Sequence, residues 1–162
     1  MNCQDVKFGN PFASDYTKET LLGTGSSGNV FSAINRKTGV RHGIKVSAKP
    51  LYDEFRIGSL FDHPNLLRPV ELWFDGIDYY LVMDLLSQVS MLDLVGVTTH
   101  EKVLFLLQLS EAVQHMHKCG FLHCDIKPRN FAFDVSQLGA SRILKLLDFG
   151  SAKPTSGEAK LL

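Results

Sequence analysis

The chain has 162 residues and a mass of 18.0 kDa, with 44% hydrophobic and 21% charged residues, so it can bury a core and disorder is not expected. Its 17 basic and 17 acidic side chains cancel, which leaves no basic field for nucleic acid or an anionic membrane. Apolar runs such as 103–107 are far too short to span a membrane. The sequence shows no signal for export, and its three cysteines are an odd number without the paired spacing of a metal site. These features predict an intracellular protein, cytoplasmic or nuclear.

The first half of the chain is predicted to be rich in β-strands. Residues 1–16 are predicted to be an irregular lead-in, broken at Gly9-Asn10-Pro11. Alternating side chains predict a strand–turn–strand pattern within residues 17–46. A short helix over residues 50–61, begun by Pro50, and two further strands over residues 66–74 and 78–85 follow.

The second half is predicted to contain one long helix and a small hairpin. Thr98 and Glu101 form a capping box that begins a helix over residues 99–118. Its apolar residues cover so wide an arc that most of the helix is expected to be buried. Two short strands, 131–134 and 143–147, flank a polar loop, and residues 151–162 are expected to be flexible.

Glycines recur in the segment Gly23-Thr24-Gly25-Ser26-Ser27-Gly28. Glycine permits a tight turn and lets backbone amides approach phosphate oxygens, but taken alone most such segments are ordinary turns. A dinucleotide-binding fingerprint requires a helix directly after the glycines, whereas here a strand and a turn follow. That alternative is therefore rejected.

Lys45 lies in an apolar predicted strand, where its ammonium must reach water or an anionic group. A snorkelling lysine at a sheet edge would be the simpler interpretation, but its position one hairpin after the glycines favours a functional one. Glu54, nine residues later, would hold Lys45 by an ion pair, although most helical glutamates are merely solvated.

The most specific motif is His123-Cys124-Asp125-Ile126-Lys127-Pro128-Arg129-Asn130. Its carboxylate can accept a hydroxyl proton, its lysine can neutralise a phosphate, and its asparagine can ligate Mg²⁺. Asp148, in Leu147-Asp148-Phe149-Gly150 after an apolar strand, would be a second oxygen ligand. Alone, that tripeptide would be a common turn.

In this order, these elements resemble the eukaryotic protein kinase superfamily over about residues 17–153. The resemblance implies an α+β fold. Residues 17–86 would form a β-rich N-lobe with the hinge, and residues 87–153 a partial C-lobe. A flexible tail over 154–162 would follow.

The resemblance also implies a role for each motif residue. Asp125 would be the catalytic base and Lys127 a γ-phosphate contact, while Asn130 and Asp148 would bind Mg²⁺. Met83 would be the gatekeeper. The ATP site as a whole would comprise Gly23, Thr24, Gly25, Ser26, Ser27, Gly28, Val30, Lys45, Glu54, Met83, Ala132 and the hinge backbone of Asp84 and Leu86.

The resemblance extends to the reaction. Lysine at position 127 is typical of Ser/Thr kinases, so the substrate would be a protein hydroxyl, with no nucleic acid or membrane partner. Transfer from Mg·ATP would be in line.

Several positions depart from the family pattern. Cys124 replaces the arginine that pairs with a phosphorylated activation loop, and Gly43 replaces an alanine beside Lys45. Gly58 stands where a large apolar side chain would pack on Phe149, which predicts a loosely held helix.

The sequence stops twelve residues after Gly150, without the later helices of the family. We therefore expect an uncovered apolar face on residues 103–116 and a protein partner that covers the truncated C-lobe. Two functions of different class follow: a minimal Ser/Thr kinase, or a kinase-like ATP-binding module that regulates a partner by contact. A third possibility is that the chain is an incomplete product of a longer kinase.

Overall fold

The computed structural model describes residues 6–25, 27–86, 98–134 and 142–155. The strands are β1 (Val6–Phe8), β2 (Tyr16–Gly25), β3 (Gly28–Asn35), β4 (Arg41–Ser47), β5 (Pro69–Phe74), β6 (Tyr79–Asp84), β7 (Phe121–Leu122), β8 (Phe131–Asp134), β9 (Ile143–Leu146) and β10 (Lys153–Pro154). The helices are α1 (Pro11–Ser14), α2 (Tyr52–Gly58) and α3 (Thr99–Lys118), and single 3-10 turns lie at Pro128–Asn130 and Phe149–Ser151. This mixture confirms the predicted α+β class.

The chain divides into two units, of which the first comprises residues 1–59 and 68–85 and the second residues 60–67 and 86–162. In the first unit, six strands form one sheet in the order β1-β5-β6-β4-β3-β2. β1 runs parallel to β5, and each of the other neighbouring pairs is antiparallel. The predicted turn at residues 36–39 joins β3 to β4, as the alternation of side chains indicated.

Both faces of this sheet carry apolar clusters. Ile44 and Val82, which are paired across β4 and β6, belong to a cluster with Tyr16 and Trp73, against which Phe12 of α1 packs. The other face carries the cluster Leu51, Leu72 and Leu81, with Val6, Phe55 and Tyr79 packed on it. Because successive residues of a strand face opposite sides, Lys45 faces away from the Ile44 cluster.

In the second unit, α3 begins at the predicted residue. The Thr98 hydroxyl accepts from the Glu101 amide at 3.2 Å, and the Glu101 carboxylate accepts from the Thr98 amide at 2.9 Å, so the capping box is confirmed. The expectation that most of the helix is buried is wrong. One stripe is buried, with Phe105, Ala112 and Met116, because only this side packs on the rest of the unit. The uncovered face predicted for residues 103–116 is present: Val103, Leu106 and Leu107 are 50%, 61% and 55% exposed.

The prediction of an irregular lead-in is wrong for its described part. Val6–Phe8 forms the edge strand β1, and Pro11–Ser14 forms α1. Asn10 is the helix cap, accepting from the Phe12 amide at 2.9 Å, and Pro11 occupies the first turn. The Asn-Pro pair is thus a helix-start signal rather than a breaker.

Three other boundaries also differ. The helix predicted over residues 50–61 is confined to Tyr52–Gly58, and Leu66 lies outside β5, paired in parallel with Leu146 of β9. The tail predicted to be flexible from residue 154 begins in a strand, because Pro154 pairs with Phe121 and the Thr155 amide donates to the Gly120 carbonyl at 2.9 Å. The predicted polar loop over residues 135–141 and the rest of the tail, 156–162, lie outside the described residues.

In the described part of the chain, none of the helices combines the length and the apolar character that a membrane crossing requires.

Candidate active site

The glycine-rich segment forms the tip of the β2–β3 hairpin, where Gly25 pairs with Gly28. Gly28 has φ +125°, and a Cβ there would collide with the backbone carbonyl of Val46. A Cβ at Gly23 or Gly25 would meet nothing within 4 Å. The backbone therefore requires glycine at 28, whereas at 23 and 25 there is open space where a side chain would lie. Thr24 and Ser27 belong to the same tip, and Ser26 lies outside the described residues.

The ion pair predicted between Lys45 and Glu54 is present. Lys45 Nζ lies 2.6 Å from Glu54 Oε2, and the two side chains are only 7% and 10% exposed. β4 presents the lysine and α2 presents the glutamate, so the pair joins the sheet to this short helix. A buried pair at this distance is screened little by salt and fixes the direction of the ammonium.

The residues predicted to contact adenine divide between the two units. In the first unit, Val30 pairs with Lys45 and Gly43 pairs with Met83 across adjacent strands. A Cβ at Gly43 would lie 3.4 Å from Met83 Cγ, so the glycine leaves room beside the proposed gatekeeper.

The other predicted adenine contacts lie at strand ends or in the second unit. Asp84 ends β6, and the partly buried Leu86 follows it. Ala132 is buried in β8, in the second unit.

Asp125, Lys127 and Asn130 come together in the loop before β8. Lys127 Nζ donates to Asp125 Oδ2 at 2.6 Å, and Asn130 Nδ2 donates to the same oxygen at 3.0 Å. Asn130 Nδ2 also donates to the Asp125 backbone carbonyl at 2.8 Å, which closes the loop on itself. Oδ2 is thus held by two donors, which leaves Oδ1 as the carboxylate oxygen that no described residue engages.

The electrostatics of this loop favour the ionised carboxylate. The hydrogen bond from Lys127 is the largest cause, and it holds the pKa of Asp125 below its usual range against desolvation, which raises the pKa; the hydrogen bond from Asn130 lowers it further. The Asp125 carboxylate is therefore ionised at neutral pH.

The His123 ring links the loop that contains Asp125 to the segment before Asp148. The Asp125 amide donates to His123 Nδ1 at 3.3 Å, so Nε2 carries the proton and donates to the Leu147 carbonyl at 2.9 Å. The ring thereby links Leu147, the residue before Asp148, to Asp125, the proposed base. Cys124, between His123 and Asp125, takes the left-handed conformation with φ +63°. Its side chain is exposed, so a thiol occupies the position where the family pattern has an arginine.

Asp148 and Asn130 are the candidate metal ligands. The Leu147 amide donates to the Asn130 carbonyl at 2.9 Å, which brings the two segments together. Asp148 takes the strained left-handed conformation, φ +63°, and its Oδ1 accepts from the Gly150 amide at 3.2 Å. The Asn130 amide hydrogens point to Asp125, so its Oδ1 is directed elsewhere and can act as a ligand.

This donor set fits Mg²⁺, which prefers carboxylate and amide oxygens and completes its shell with water and phosphate. Within the described residues, three or more His, Cys, Asp or Glu side chains do not gather into a metal-binding group. A cation held here would therefore need further oxygens, such as those of a nucleotide.

The Phe149 ring has a neighbour that the sequence analysis missed. Phe61 lies 5.4 Å from it, centroid to centroid, and also packs on Phe121 at 6.0 Å. Phe61 itself was the available signal, since aromatic side chains bury large areas and favour edge-to-face pairs with other rings.

The comparisons with known proteins agree on one family. The family model of the protein kinase domain matches residues 16–161. The smooth muscle myosin light chain kinase of Gallus gallus is 31% identical over 161 residues, which cover 91% of this chain and 8% of that protein.

Two further relatives give similar values. MAP kinase kinase kinase win1 of Schizosaccharomyces pombe is 33% identical over 154 residues, 86% of this chain and 10% of that protein. The stress-activated protein kinase JNK of Suberites domuncula is 31% identical over 157 residues, 85% of this chain and 41% of that protein. The chain thus spans less than half the length of each of these three relatives.

Proposed function

The chain belongs to the protein kinase family, and on that premise we propose that it transfers the γ-phosphoryl group of ATP to a serine or threonine hydroxyl of a protein. The observation that carries this proposal is the arrangement around Asp125. Its carboxylate is held ionised by Lys127 and Asn130, with one oxygen left for a substrate proton.

Asp125 Oδ1 would orient the substrate hydroxyl and take its proton as the hydroxyl oxygen bonds to the γ-phosphorus. The bond from phosphorus to the bridging oxygen breaks at the same time, and ADP leaves with that electron pair. Lys127 Nζ lies 2.6 Å from Asp125 Oδ2, so its charge is beside the proposed base. There it would neutralise charge on the transferred group. Lys127 also supports the finer proposal that the substrate is serine or threonine.

Nucleotide binding would be shared among the remaining motif residues. The amides of the hairpin tip at 23–28 would contact phosphate oxygens, and Lys45, aimed by Glu54, would neutralise them. Asn130 and Asp148 would hold Mg²⁺, which when bound supplies charge neutralisation of the phosphates. Val30, Met83 and Ala132 would contact adenine, with hinge backbone groups at 84 and 86.

The test is transfer of radiolabel from γ-labelled Mg·ATP to a general protein substrate, compared with Asp125→Asn. This substitution keeps the shape of the side chain and removes the base, so label on serine and threonine is expected to fall by about 10²-fold or more. Equal labelling by the two proteins would overturn the proposal. Label found on tyrosine alone would overturn the Ser/Thr assignment while leaving phosphoryl transfer intact.

A second candidate function is regulation of a partner by contact, which the exposed apolar stripe Val103, Leu106 and Leu107 supports. A protein that covers this stripe would complete the unit that α3 leaves open on one side. Thermal denaturation with and without Mg·ATP, combined with the radiolabel assay for turnover, separates the two functions. Stabilisation by nucleotide without turnover favours the contact function, and stabilisation with turnover favours the enzyme.

A further inference from the structure

Helix α2 is too short to be stable by itself. It has seven residues, Tyr52–Gly58, and it ends on a glycine. Leu51 at its N-cap position provides no side-chain hydrogen bond. Isolated helices below about 12–15 residues are marginal in water even with good helix formers. The position of Glu54 therefore depends on what packs against α2.

Strand β1 supplies part of that packing. Val6 pairs with Leu72 of β5 and packs on the cluster that Leu72 forms with Leu51 and Leu81. Phe55, the neighbour of Glu54 on α2, packs on the same cluster. The apolar cluster on which Phe55 of α2 packs is thus completed by β1, a strand of the N-terminal segment.

The segment that contains β1 is fixed to the sheet at several points. Lys7 Nζ lies 2.5 Å from Glu71 Oε1, and the Gly9 amide donates to the Phe74 carbonyl at 2.9 Å. Further along, the Phe12 ring packs edge-on against Tyr80 at 5.9 Å.

The guanidinium of Arg36 completes this anchoring. It donates to the carbonyls of Phe12, Ala13 and Ser14 at 2.9–3.0 Å. These contacts anchor α1, which follows β1 in the chain.

We propose that residues 6–14 are a brace built into the chain, in which Val6 is a positioning residue for α2. By completing the cluster under α2, Val6 keeps Glu54 in contact with Lys45. Loss of the brace would let α2 open more often and release the lysine. The consequence for ATP binding rests on the proposed function, but the consequence for α2 itself does not.

The test compares Val6→Ala with Phe8→Ala in the full chain. Phe8 lies on the same strand but is 76% exposed, so its truncation controls for changes in the strand itself. The amides of Phe55 and Ser59, which donate to the carbonyls of Leu51 and Phe55, report opening of α2 by hydrogen exchange.

Val6→Ala is expected to speed exchange of these two amides about three- to tenfold, as removal of partly buried methyl groups predicts. Phe8→Ala should leave the exchange of these amides within about twofold of the wild type. Val6→Ile, which keeps a branched apolar side chain at position 6, should exchange as slowly as the wild type. Wild-type exchange in Val6→Ala, or equal acceleration by Phe8→Ala, would overturn the brace.

A second measurement addresses the link to nucleotide. Val6→Ala is expected to raise KM for ATP in proportion to the loss of the closed fraction of α2, while kcat changes less, because the brace acts on a phosphate contact and not on Asp125. A fall in kcat with unchanged KM would overturn this link. If the wild type shows no response to Mg·ATP, the proposed function fails, and the exchange data still decide whether the brace exists.

Discussion

Replacement of Glu54 by glutamine is the sharpest perturbation of the buried ion pair. The substitution preserves the length and shape of the side chain but removes its charge, so the buried ammonium of Lys45 loses the negative charge that lies 2.6 Å away. Because both side chains are at most 10% exposed, neither water nor salt compensates effectively. Removing one partner of such a pair costs about 3–5 kcal/mol, a large part of the 5–15 kcal/mol typical of a domain.

Urea unfolding followed by circular dichroism measures this cost, and the double variant Lys45→Met/Glu54→Leu provides the matched control. With both charges removed, most of the lost stability is expected to return, because the desolvation penalty disappears with the charges. ATP binding should not return with it, since the phosphate contact is gone. Unfolding of Glu54→Gln within about 0.5 kcal/mol of the wild type, or a double variant no more stable than the single one, would refute the reasoning.

Three further changes test other parts of the molecule. Lys127→Met removes the main cause of the lowered Asp125 pKa, so the acid limb of the kcat/KM profile should move to higher pH; an unmoved limb contradicts this. Gly28→Ala should cost about 1–3 kcal/mol in urea unfolding, and Gly25→Ala less than about 0.5 kcal/mol; equal costs would show that the positive φ is not required. Burial, helped by the neighbouring His115, lowers the pKa of His63, so the unfolded chain binds a proton before the folded chain does. The stability of the fold should therefore fall as the pH drops below about 6.5. His63→Asn should flatten this slope in thermal denaturation, and an unchanged slope would show that His63 does not cause it.

Local signals predicted the elements whose chemistry is local. Thr98 and Glu101 located the start of α3 because a capping box satisfies amides within one turn. The hairpin from β3 to β4 followed from alternation and a glycine turn. The ion pair of Lys45 with Glu54 was predictable because the order of motifs placed a lysine strand before a short acidic helix.

Features set by distant contacts were not predictable in the same way. β1 has three residues, and it is a strand because Val6, Lys7 and Phe8 pair with residues on β5 far along the chain. Asn10 before Pro11 has the same composition as a turn, and only the Phe12 amide at 2.9 Å identifies it as a helix cap.

The wide apolar arc of α3 shows the same limit. Hydrophobicity alone could not tell which stripe packs on the rest of its unit and which stays exposed. The placement of Phe61 against Phe149 likewise depends on the tertiary fold.

The most direct measurement is calorimetric titration of the purified chain with ATP, with and without Mg²⁺, alongside Asp148→Asn. The account predicts binding that requires Mg²⁺ and that weakens about tenfold or more when the Asp148 carboxylate loses its charge. Binding that is equal with and without the metal, or equal in the two proteins, would contradict the assignment of Asp148 and Asn130. The absence of any binding would contradict the account as a whole.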